Sequence, residues 1–301
     1  MRAVRALSIS IDGKAMTLMT GQLPTHSELT PDLARAILAR AEQISGIRID
    51  AAKLEFVRLR VGRRLAALGL DTFEGYNQFL AGDAGDEVRH LVEALTTHTT
   101  SFFREMHHYD WLVREGIDGL LAGRDRSPFV IWSAAASTGA ELWSAGMIMA
   151  ERNAQGRAPS DWQLIGTDIS ERILTRAATA TYSEEEISGI STERAERFLL
   201  RSRNLRDHGG RPIYRISPDL RARARFSKVN LQDLQGLKAF TADVAFLRNV
   251  LIYFDVEGRE RVVSNVVSRL RPGGILFTGH AEALGSHPSL EPVRPTIYRK
   301  V

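Results

Sequence analysis

The sequence contains no cysteine, no long apolar run and no large excess of charge of one sign. Because none of its 301 residues is a cysteine, disulfides, thiolate metal sites and a cysteine nucleophile are excluded, and we expect the protein in the reducing cytoplasm. No stretch of about 18 apolar residues occurs, so no transmembrane helix is predicted. The 40 basic and 36 acidic side chains leave a net charge of +4, which by itself does not indicate a nucleic-acid partner.

The first half of the chain has a helical pattern. Residues 1–28 carry few structural signals and are predicted to form a flexible tail. Apolar residues at helical spacing predict an all-helical domain over 29–97, followed by a linker and connecting helix over 98–128. Pro31 suits the first position of the first helix, and Gly69 suits the carboxyl-terminal cap of the second.

From residue 129 the pattern changes to strands that alternate with helices. The strands are predicted in four apolar runs, at 129–134, 162–168, 243–252 and 273–279. Such alternation predicts a mostly parallel sheet with helices on both faces, so that 129–301 forms one α/β domain. Ligands of such sheets bind beyond the carboxyl ends of the strands.

Very small residues follow the first of these strands, in the stretch IWSAAASTGAELWS at 131–144. Small side chains let other atoms approach the backbone, and Gly139 permits a tight turn. Taken alone, the stretch agrees equally with a packed strand-to-helix corner and with a ligand lying across the strand end. The second strand ends at Asp168, the position where nucleoside-binding folds hold the ribose hydroxyls with an acid.

The scarcity of glycine in this loop narrows the class of ligand. Gly139 stands alone where the dinucleotide fingerprint has three glycines, which disfavours the pyrophosphate of NAD and FAD. S-adenosylmethionine has a ribose and an adenine but no phosphate, and it suits a small-residue loop flanked by acids. Glu141 is then placed to meet its amino group, although an acid in the first turn of a helix is also favoured by the helix dipole alone.

Six stretches occur in a fixed order along the chain. They are ALTTHTTSFFREMHHY (94–109), the small-residue stretch, GTDIS (166–170), FSKVNL (226–231), FLRNVLIYFD (246–255) and RLRPGGILFTGHAEAL (269–284). Together they closely resemble the CheR-type chemotaxis receptor methyltransferases, which methylate glutamate side chains with S-adenosylmethionine. The resemblance covers roughly residues 30–300. It implies a Rossmann-like α/β methyltransferase fold with a small all-helical amino-terminal domain and a small antiparallel β insertion at about 183–225.

The resemblance also implies the site residues. Contact with the cofactor is expected for His98, Thr100, Arg104, Glu141, Asp168, Asn230, Leu231, Arg248 and Asn249. Arg104 and Tyr253 are expected to orient the substrate carboxylate, because Tyr253 matches a tyrosine near the transferred methyl group. Two residues depart from the family pattern. His98 stands where asparagine is usual, and Ala140 stands where the first of two glutamates is usual.

The second helix carries a basic face beside its apolar stripe. Arg60, Arg63 and Arg64 gather there, at about 100° per residue. This pattern alone is typical of a solvated surface, but in the family resembled a basic helix of this domain meets the acidic methylation helices of the receptor. The implied partner is the cytoplasmic domain of a chemoreceptor, whose tail docks on the β insertion in some members. Neither nucleic acid nor membrane insertion is implied.

The implied reaction is transfer of a methyl group to glutamate, which gives a glutamate methyl ester and S-adenosylhomocysteine. A glutamate is already ionised near neutral pH, with a reference pKa of about 4.3, so the site needs positioning rather than a general base. No metal site is expected, because the adjacent His107 and His108 do not share a helix face. Two alternatives stay open: a methyltransferase for another substrate, and a non-catalytic protein that senses S-adenosylmethionine.

Overall fold

The computed structural model describes residues 28–50, 52–82, 85–122, 127–202 and 210–301, so that the predicted tail, except for its last residue, lies outside the described chain. The helices are α1 (Pro31–Ser45), α2 (Leu54–Leu68), α3 (Phe73–Ala81), α4 (Gly85–Leu95), α5 (Met106–Trp111), α6 (Ile117–Leu121), α7 (Ala140–Ala154), α8 (Glu171–Thr179), α9 (Thr192–Phe198), α10 (Pro218–Arg221) and α11 (Val256–Ser268). The strands are β1 (Phe129–Ser133), β2 (Trp162–Asp168), β3 (Thr181–Ser183), β4 (Leu199–Arg201), β5 (Ile213–Ile216), β6 (Ala224–Lys228), β7 (Ala242–Leu247), β8 (Leu270–Thr278), β9 (Leu290–Arg294) and β10 (Ile297–Lys300).

The helical domain begins and ends its helices where the sequence indicates. Thr30 caps α1, its Oγ1 accepting the backbone N–H of Leu33 at 3.3 Å, and Pro31 occupies the first turn. Gly46 ends α1 with φ +70°, and Gly69 ends α2 with φ +66°. A π-helical segment, Leu112–Gly116, joins α5 to α6.

A seven-stranded sheet forms the centre of the second domain, with the order β6-β2-β1-β7-β8-β10-β9. β1 pairs in parallel with both β2 and β7, while β10 runs antiparallel to β8. The chain leaves β1 first toward β2 and β6, and later returns on the other side through β7 and β8. The topological switch point therefore lies between β1 and β7, where open α/β sheets bind ligands. The predicted fold class is confirmed.

Three details differ from the sequence expectation. The small antiparallel sheet has the order β3-β5-β4, whereas β6 pairs in parallel with β2, so Ala224 and Arg225 belong to the main sheet rather than to the insertion. The third predicted strand ends at Leu247, because Asn249 adopts a left-handed φ of +57° and the apolar residues that follow turn away. The hairpin of β9 and β10 was not expected, since its short strands carry little alternation.

The two domains share one continuous core. Side chains of the helical domain, such as Ile37 and Leu91, belong to the same buried apolar cluster as Trp132 on β1 and Leu231 after β6. Burial of this shared surface fixes the helical domain over the carboxyl ends of the strands. Among the described residues, no helix combines the length and the apolar character that crossing a membrane requires.

Candidate functional site

A pocket lies at the carboxyl ends of β1, β2 and β7, between the sheet and the helical domain. All ten predicted cofactor and catalytic residues line it: His98, Thr100, Arg104, Glu141, Asp168, Asn230, Leu231, Arg248, Asn249 and Tyr253. They come from separate stretches of the chain. The structure thus brings the predicted residues together, while their contacts with a ligand stay a prediction.

The small-residue loop is tied to the acid at the end of β2. The backbone N–H of Ser137 donates to Asp168 Oδ2 at 2.9 Å, and that of Ser170 donates to Asp168 Oδ1 at 3.0 Å. Ser137 has a left-handed φ of +50° and donates its hydroxyl to the carbonyl of His98 at 2.8 Å. Burial raises the pKa of Asp168, although His98 and the backbone N–H groups oppose the rise.

Glu141, in the first turn of α7, forms a buried ion pair. Arg248 Nη1 donates to Glu141 Oε2 at 3.1 Å, and the Ser133 hydroxyl donates to Oε1 at 2.6 Å. Burial raises the pKa of Glu141, and the neighbouring Arg248 opposes that rise. The carboxylate therefore has hydrogen-bond partners before any ligand binds, one at the end of β1 and one directly after β7.

Arg248 also holds the segment that connects the two domains. Its guanidinium donates to the backbone carbonyl of Arg104 and lies 3.4 Å from Glu105 Oε2. Glu105 has a left-handed φ of +56°, and Phe103 one of +53°, in the same segment. Such conformations are costly and persist only where the surrounding contacts fix them, as they do here.

His98, which departs from the family pattern, lies half-buried in the pocket. Its Nε2 lies 3.0 Å from the Thr96 hydroxyl, which also contacts the carbonyl of Glu93 at 3.1 Å. Burial lowers the pKa of His98, and the nearby Asp168 opposes the drop. Near neutral pH the ring is therefore a neutral hydrogen-bonding group, as the amide of an asparagine is.

The helical domain supplies a wall of the pocket that sequence reasoning did not assign. Ser45 and Ile47, on either side of Gly46, line the pocket beside Asn230. The Asn230 side-chain amide donates to the carbonyl of Ile44 at 3.2 Å, which joins the two domains at this point. A glycine at position 46 is a signal for the end of α1 that the sequence contains. The sequence does not show which surface this turn faces.

Glu282 is a third residue that sequence reasoning missed, although it lies in the quoted stretch RLRPGGILFTGHAEAL. Its carboxylate is buried and accepts the backbone N–H of Asn249 at 2.6 Å, of Gly279 at 3.0 Å and of Ile252 at 3.3 Å. These bonds fix the loop after β7, which carries Asn249 and Tyr253 into the pocket. Glu282 is thus a positioning residue for this loop.

The three predicted partner-binding arginines of α2 differ in their surroundings. Arg63 is exposed, and the Arg60 guanidinium lies 5.2 Å from the centre of the Phe56 ring. Arg64 instead faces the helical domain, where it donates to both oxygens of Glu87 at 2.9 and 2.6 Å. The hydroxyl of Tyr76 donates to the same carboxylate at 2.7 Å. Arg64 is therefore part of the domain's internal packing.

One group of side chains among the described residues has the spacing of metal ligands. Glu105, His107 and His108 each offer a ligand atom, and these atoms lie within 4.8 Å of one another. Glu105 is already bound by Arg248 and by His280, whose Nδ1 lies 3.1 Å away, and His108 Nε2 contacts Thr296. Glu105 and His108 therefore already have partners within the protein, and the expectation of no metal site stays a prediction.

The pocket residues fit S-adenosylmethionine. Asp168 and Glu141 each bring a carboxylate to the pocket lining, which suits ribose hydroxyls and an ammonium group. Ala134 and Ala135 leave room along the strand end, and the apolar Leu231 suits the face of an adenine. Within the described chain, the lining of this pocket contains no glycine-rich cradle for a phosphate.

Comparison with known proteins agrees with this geometry. Residues 98–298 match the family described as CheR methyltransferase, SAM binding domain, and residues 34–96 match CheR methyltransferase, all-alpha domain. A chemotaxis protein methyltransferase of Salmonella typhimurium is 35% identical over 273 residues, which cover 88% of this chain and 91% of the relative. That of Escherichia coli is 32% identical with the same coverage. Chemotaxis protein methyltransferase 2 of Pseudomonas aeruginosa is 34% identical, and the match covers 81% of this chain and 83% of the relative.

Both family domains lie in the order and at the positions that the fold shows, the helical one before the sheet. The two matches together span nearly all of the described chain. The protein therefore belongs to the CheR methyltransferase family, and its cofactor is S-adenosylmethionine.

Proposed function

We propose that this protein transfers the methyl group of S-adenosylmethionine to glutamate side chains of a chemoreceptor in chemotaxis adaptation. The observation that carries the proposal is the meeting, in one pocket at the switch point of the sheet, of the ten residues that the resemblance implied, which come from separate stretches of the chain. Relatives named chemotaxis protein methyltransferase, at 32–35% identity, support the assignment of the substrate.

Asp168 and Glu141 hold the two ends of the cofactor in this proposal, and Asn230 and Leu231 lie beside its adenine. Bound S-adenosylmethionine supplies an activated methyl group: a carboxylate oxygen forms a bond to the methyl carbon while the carbon–sulfur bond breaks and its electron pair stays on sulfur. Arg104 and Tyr253 orient the incoming carboxylate. Positioning of this kind lowers a barrier by up to about 7–11 kcal/mol.

The residues of the pocket satisfy the demands of this chemistry. The nucleophile is a carboxylate that is ionised near neutral pH, so no general base is required. Arg104 donates to the carbonyl of Thr99 at 3.3 Å, and this contact leaves the rest of its guanidinium for the substrate. Because part of the guanidinium is bound to the protein, Arg104 orients the substrate carboxylate without occupying all of its lone pairs. The carboxylate therefore stays nucleophilic.

The partner in this proposal is the cytoplasmic domain of the receptor, and the compartment is the cytoplasm. The exposed Arg63, together with Arg60, presents positive charge on α2 toward acidic methylation helices. Such attraction raises the rate of encounter and weakens with added salt. The small sheet β3-β5-β4 is where a receptor tail would dock.

The test begins with calorimetric titration of the protein with S-adenosylhomocysteine, repeated on Asp168→Ala. We expect micromolar binding by the wild type and a loss of at least tenfold in the variant, because the ribose loses its acceptor. The Tyr253→Phe variant is the matched control, because Tyr253 is assigned to the substrate carboxylate and Asp168 to the cofactor. It should keep S-adenosylhomocysteine affinity within about twofold and lose methyl transfer to a receptor fragment by about tenfold, or about 1.4 kcal/mol.

Each arm has a result that contradicts the proposal. Wild-type turnover in Tyr253→Phe would remove the role of its hydroxyl. Binding of S-adenosylhomocysteine without methylation of any receptor fragment would favour a non-catalytic protein that senses the cofactor. The absence of binding by the wild type would mean that the histidine at position 98 and the alanine at position 140 have disabled the pocket.

A further inference from the structure

Arg104 reaches the pocket from a turn of residues 102–105, which we call the Arg104 turn. The residues on either side of Arg104 have left-handed backbone conformations, with a φ of +53° at Phe103 and of +56° at Glu105. Such conformations are unfavourable for side chains of this size and persist only where neighbouring contacts fix them. The contacts of the Arg104 turn therefore determine where Arg104 points.

The backbone of this turn is held by the sheet domain. The backbone N–H of Phe103 donates to the Ser144 hydroxyl at 2.9 Å, and Arg248 donates to the carbonyl of Arg104. Both bonds involve peptide groups of the turn. Its aromatic side chains are held by separate contacts, of which the ring of Tyr109, 5.4 Å from that of Phe103 between centres, is one.

The small sheet β3-β5-β4 and the segment between β3 and β4 also pack on the turn. The ring of Tyr182, on β3, lies edge-on to that of Phe102, with 4.9 Å between the ring centres. Gly189 lies so close to the carbonyl of Phe102 that a methyl group there would collide with it. Arg194, on α9, places its guanidinium carbon 4.4 Å from the centre of the Phe103 ring. This part of the chain thus contacts both aromatic residues of the Arg104 turn.

Arg194 is itself held in a fixed orientation. Its Nε and Nη2 donate to the two carboxylate oxygens of Glu151, on α7, at 2.8 and 3.0 Å. The side chains of Arg194 and Glu151 are only 24% and 23% exposed. Because a bidentate pair fixes the plane of a guanidinium, Arg194 presents one defined face to the Phe103 ring.

We propose that Arg194 is a positioning residue for Arg104 and acts through the ring of Phe103. The inference rests on the proposed function, in which Arg104 orients the substrate carboxylate beside the cofactor. While Arg194 holds the ring, the turn keeps its left-handed conformation and Arg104 stays directed into the pocket. Without this contact Phe103 relaxes toward an ordinary φ, and the residue that follows it changes direction. Misalignment of this kind slows the chemical step more than it weakens binding, because only the transition state requires oxygen, methyl carbon and sulfur in line.

Two arginines of α9 provide a matched pair for the test. Arg194→Ala removes the contact with the Arg104 turn, whereas Arg197→Ala removes a guanidinium that lies 5.0 Å from the ring of Phe198 in the same helix. One measurement is kcat and KM for methyl transfer to the cytoplasmic fragment of a chemoreceptor from the same genome. The other is hydrogen exchange of the backbone amides in the peptide 102–109, followed by mass spectrometry, which requires no substrate.

We expect Arg194→Ala to lower kcat about tenfold, to leave both KM values and S-adenosylhomocysteine affinity within about threefold, and to speed exchange of the peptide at least tenfold. Arg197→Ala should change each of these quantities less than twofold. Glu151→Gln keeps the guanidinium over the ring but loses the bidentate pair, so we expect a kcat and an exchange rate between those of Arg194→Ala and the wild type.

Wild-type kcat and exchange in Arg194→Ala would overturn the positioning role, as would equal losses in Arg194→Ala and Arg197→Ala. A wild type that methylates no receptor fragment would contradict the proposed function instead. The exchange rates would then decide the positioning role separately. Faster exchange in Arg194→Ala alone would support it, and equal exchange in the two variants would overturn it.

Discussion

Among single residues, His108 on α5 shows how burial sets the protonation state of a side chain. Its side chain is fully buried, and its Nε2 lies 2.9 Å from the hydroxyl of Thr296. Burial, together with the nearby Arg248 and His107, lowers its pKa to about 3. The folded protein therefore keeps this ring neutral at a pH where the unfolded chain has already taken up a proton.

This difference predicts a pH dependence of stability. Between the reference histidine pKa of about 6.5 and the folded pKa, the unfolded state binds one more proton, so the free energy of unfolding falls as the pH falls. The contribution of His108 to this slope reaches about 1.4 kcal/mol per pH unit. We expect His108→Gln to show a shallower fall between pH 7 and pH 5 in urea unfolding. His90→Gln, at an exposed position, is the control, and equal slopes for His108→Gln and the wild type would contradict the prediction.

Among the secondary-structure elements, the end of α1 links the fold of the helical domain to the shape of the pocket. Gly46 and Gly69 end successive helices with nearly the same left-handed φ, +70° and +66°. A methyl group added at Gly46 would lie 2.7 Å from Gln232 Cγ, whereas one added at Gly69 would meet no atom of the described chain within 4 Å. The two glycines therefore share the backbone requirement and differ only in what surrounds them.

Substitution of these glycines by alanine separates backbone strain from pocket geometry. Gly69→Ala should lower the free energy of unfolding by about 1 kcal/mol and leave S-adenosylhomocysteine affinity within about twofold. Gly46→Ala should cost more, about 2 kcal/mol, and weaken that affinity several-fold, because Ser45 and Ile47 on either side line the pocket. Urea unfolding and calorimetry measure the two effects. If Gly46→Ala weakened S-adenosylhomocysteine binding no more than Gly69→Ala does, the pocket wall would not depend on the turn at Gly46.

Across the whole molecule, neighbouring arginines of α2 serve different purposes. Arg64 is bound to the buried Glu87 with Tyr76, inside the helical domain, while Arg63 faces outward. The net charge of +4 gives little long-range attraction by itself, so attraction to an acidic receptor depends on where such charges lie.

Removing each arginine should therefore affect a different property. Arg64→Ala leaves Glu87 buried and without its guanidinium partner, and we expect a loss of about 3 kcal/mol in unfolding free energy. Arg63→Ala should leave stability within about 0.5 kcal/mol and lower kcat/KM toward a receptor fragment several-fold at low salt, with a shallower salt dependence. Methylation at two salt concentrations and thermal unfolding measure both. Unchanged salt dependence in Arg63→Ala would exclude Arg63 from the docking surface.

Most pocket residues were implied by the resemblance to the family, whereas local sequence was sufficient to predict the types of most elements and the acids that follow β1 and end β2. These features depend on periodicity, capping and short spacings, which act between residues close in the chain. For the same reason α2 ends at its predicted glycine and α1 begins at its predicted proline. Asp168 could be assigned because a parallel strand must end at the ligand edge of its sheet.

Contacts between distant parts of the chain established which surfaces face one another. Three features depend on such contacts: Arg64 points inward, Glu282 accepts three backbone N–H groups, and β6 pairs with β2. Helical spacing places Arg64 on a basic face but does not reveal the buried Glu87 that α4 brings beside it. Packing of the helical domain over the sheet likewise made Ser45 and Ile47 part of the pocket, because burial of a shared apolar surface acts between elements and not along the sequence.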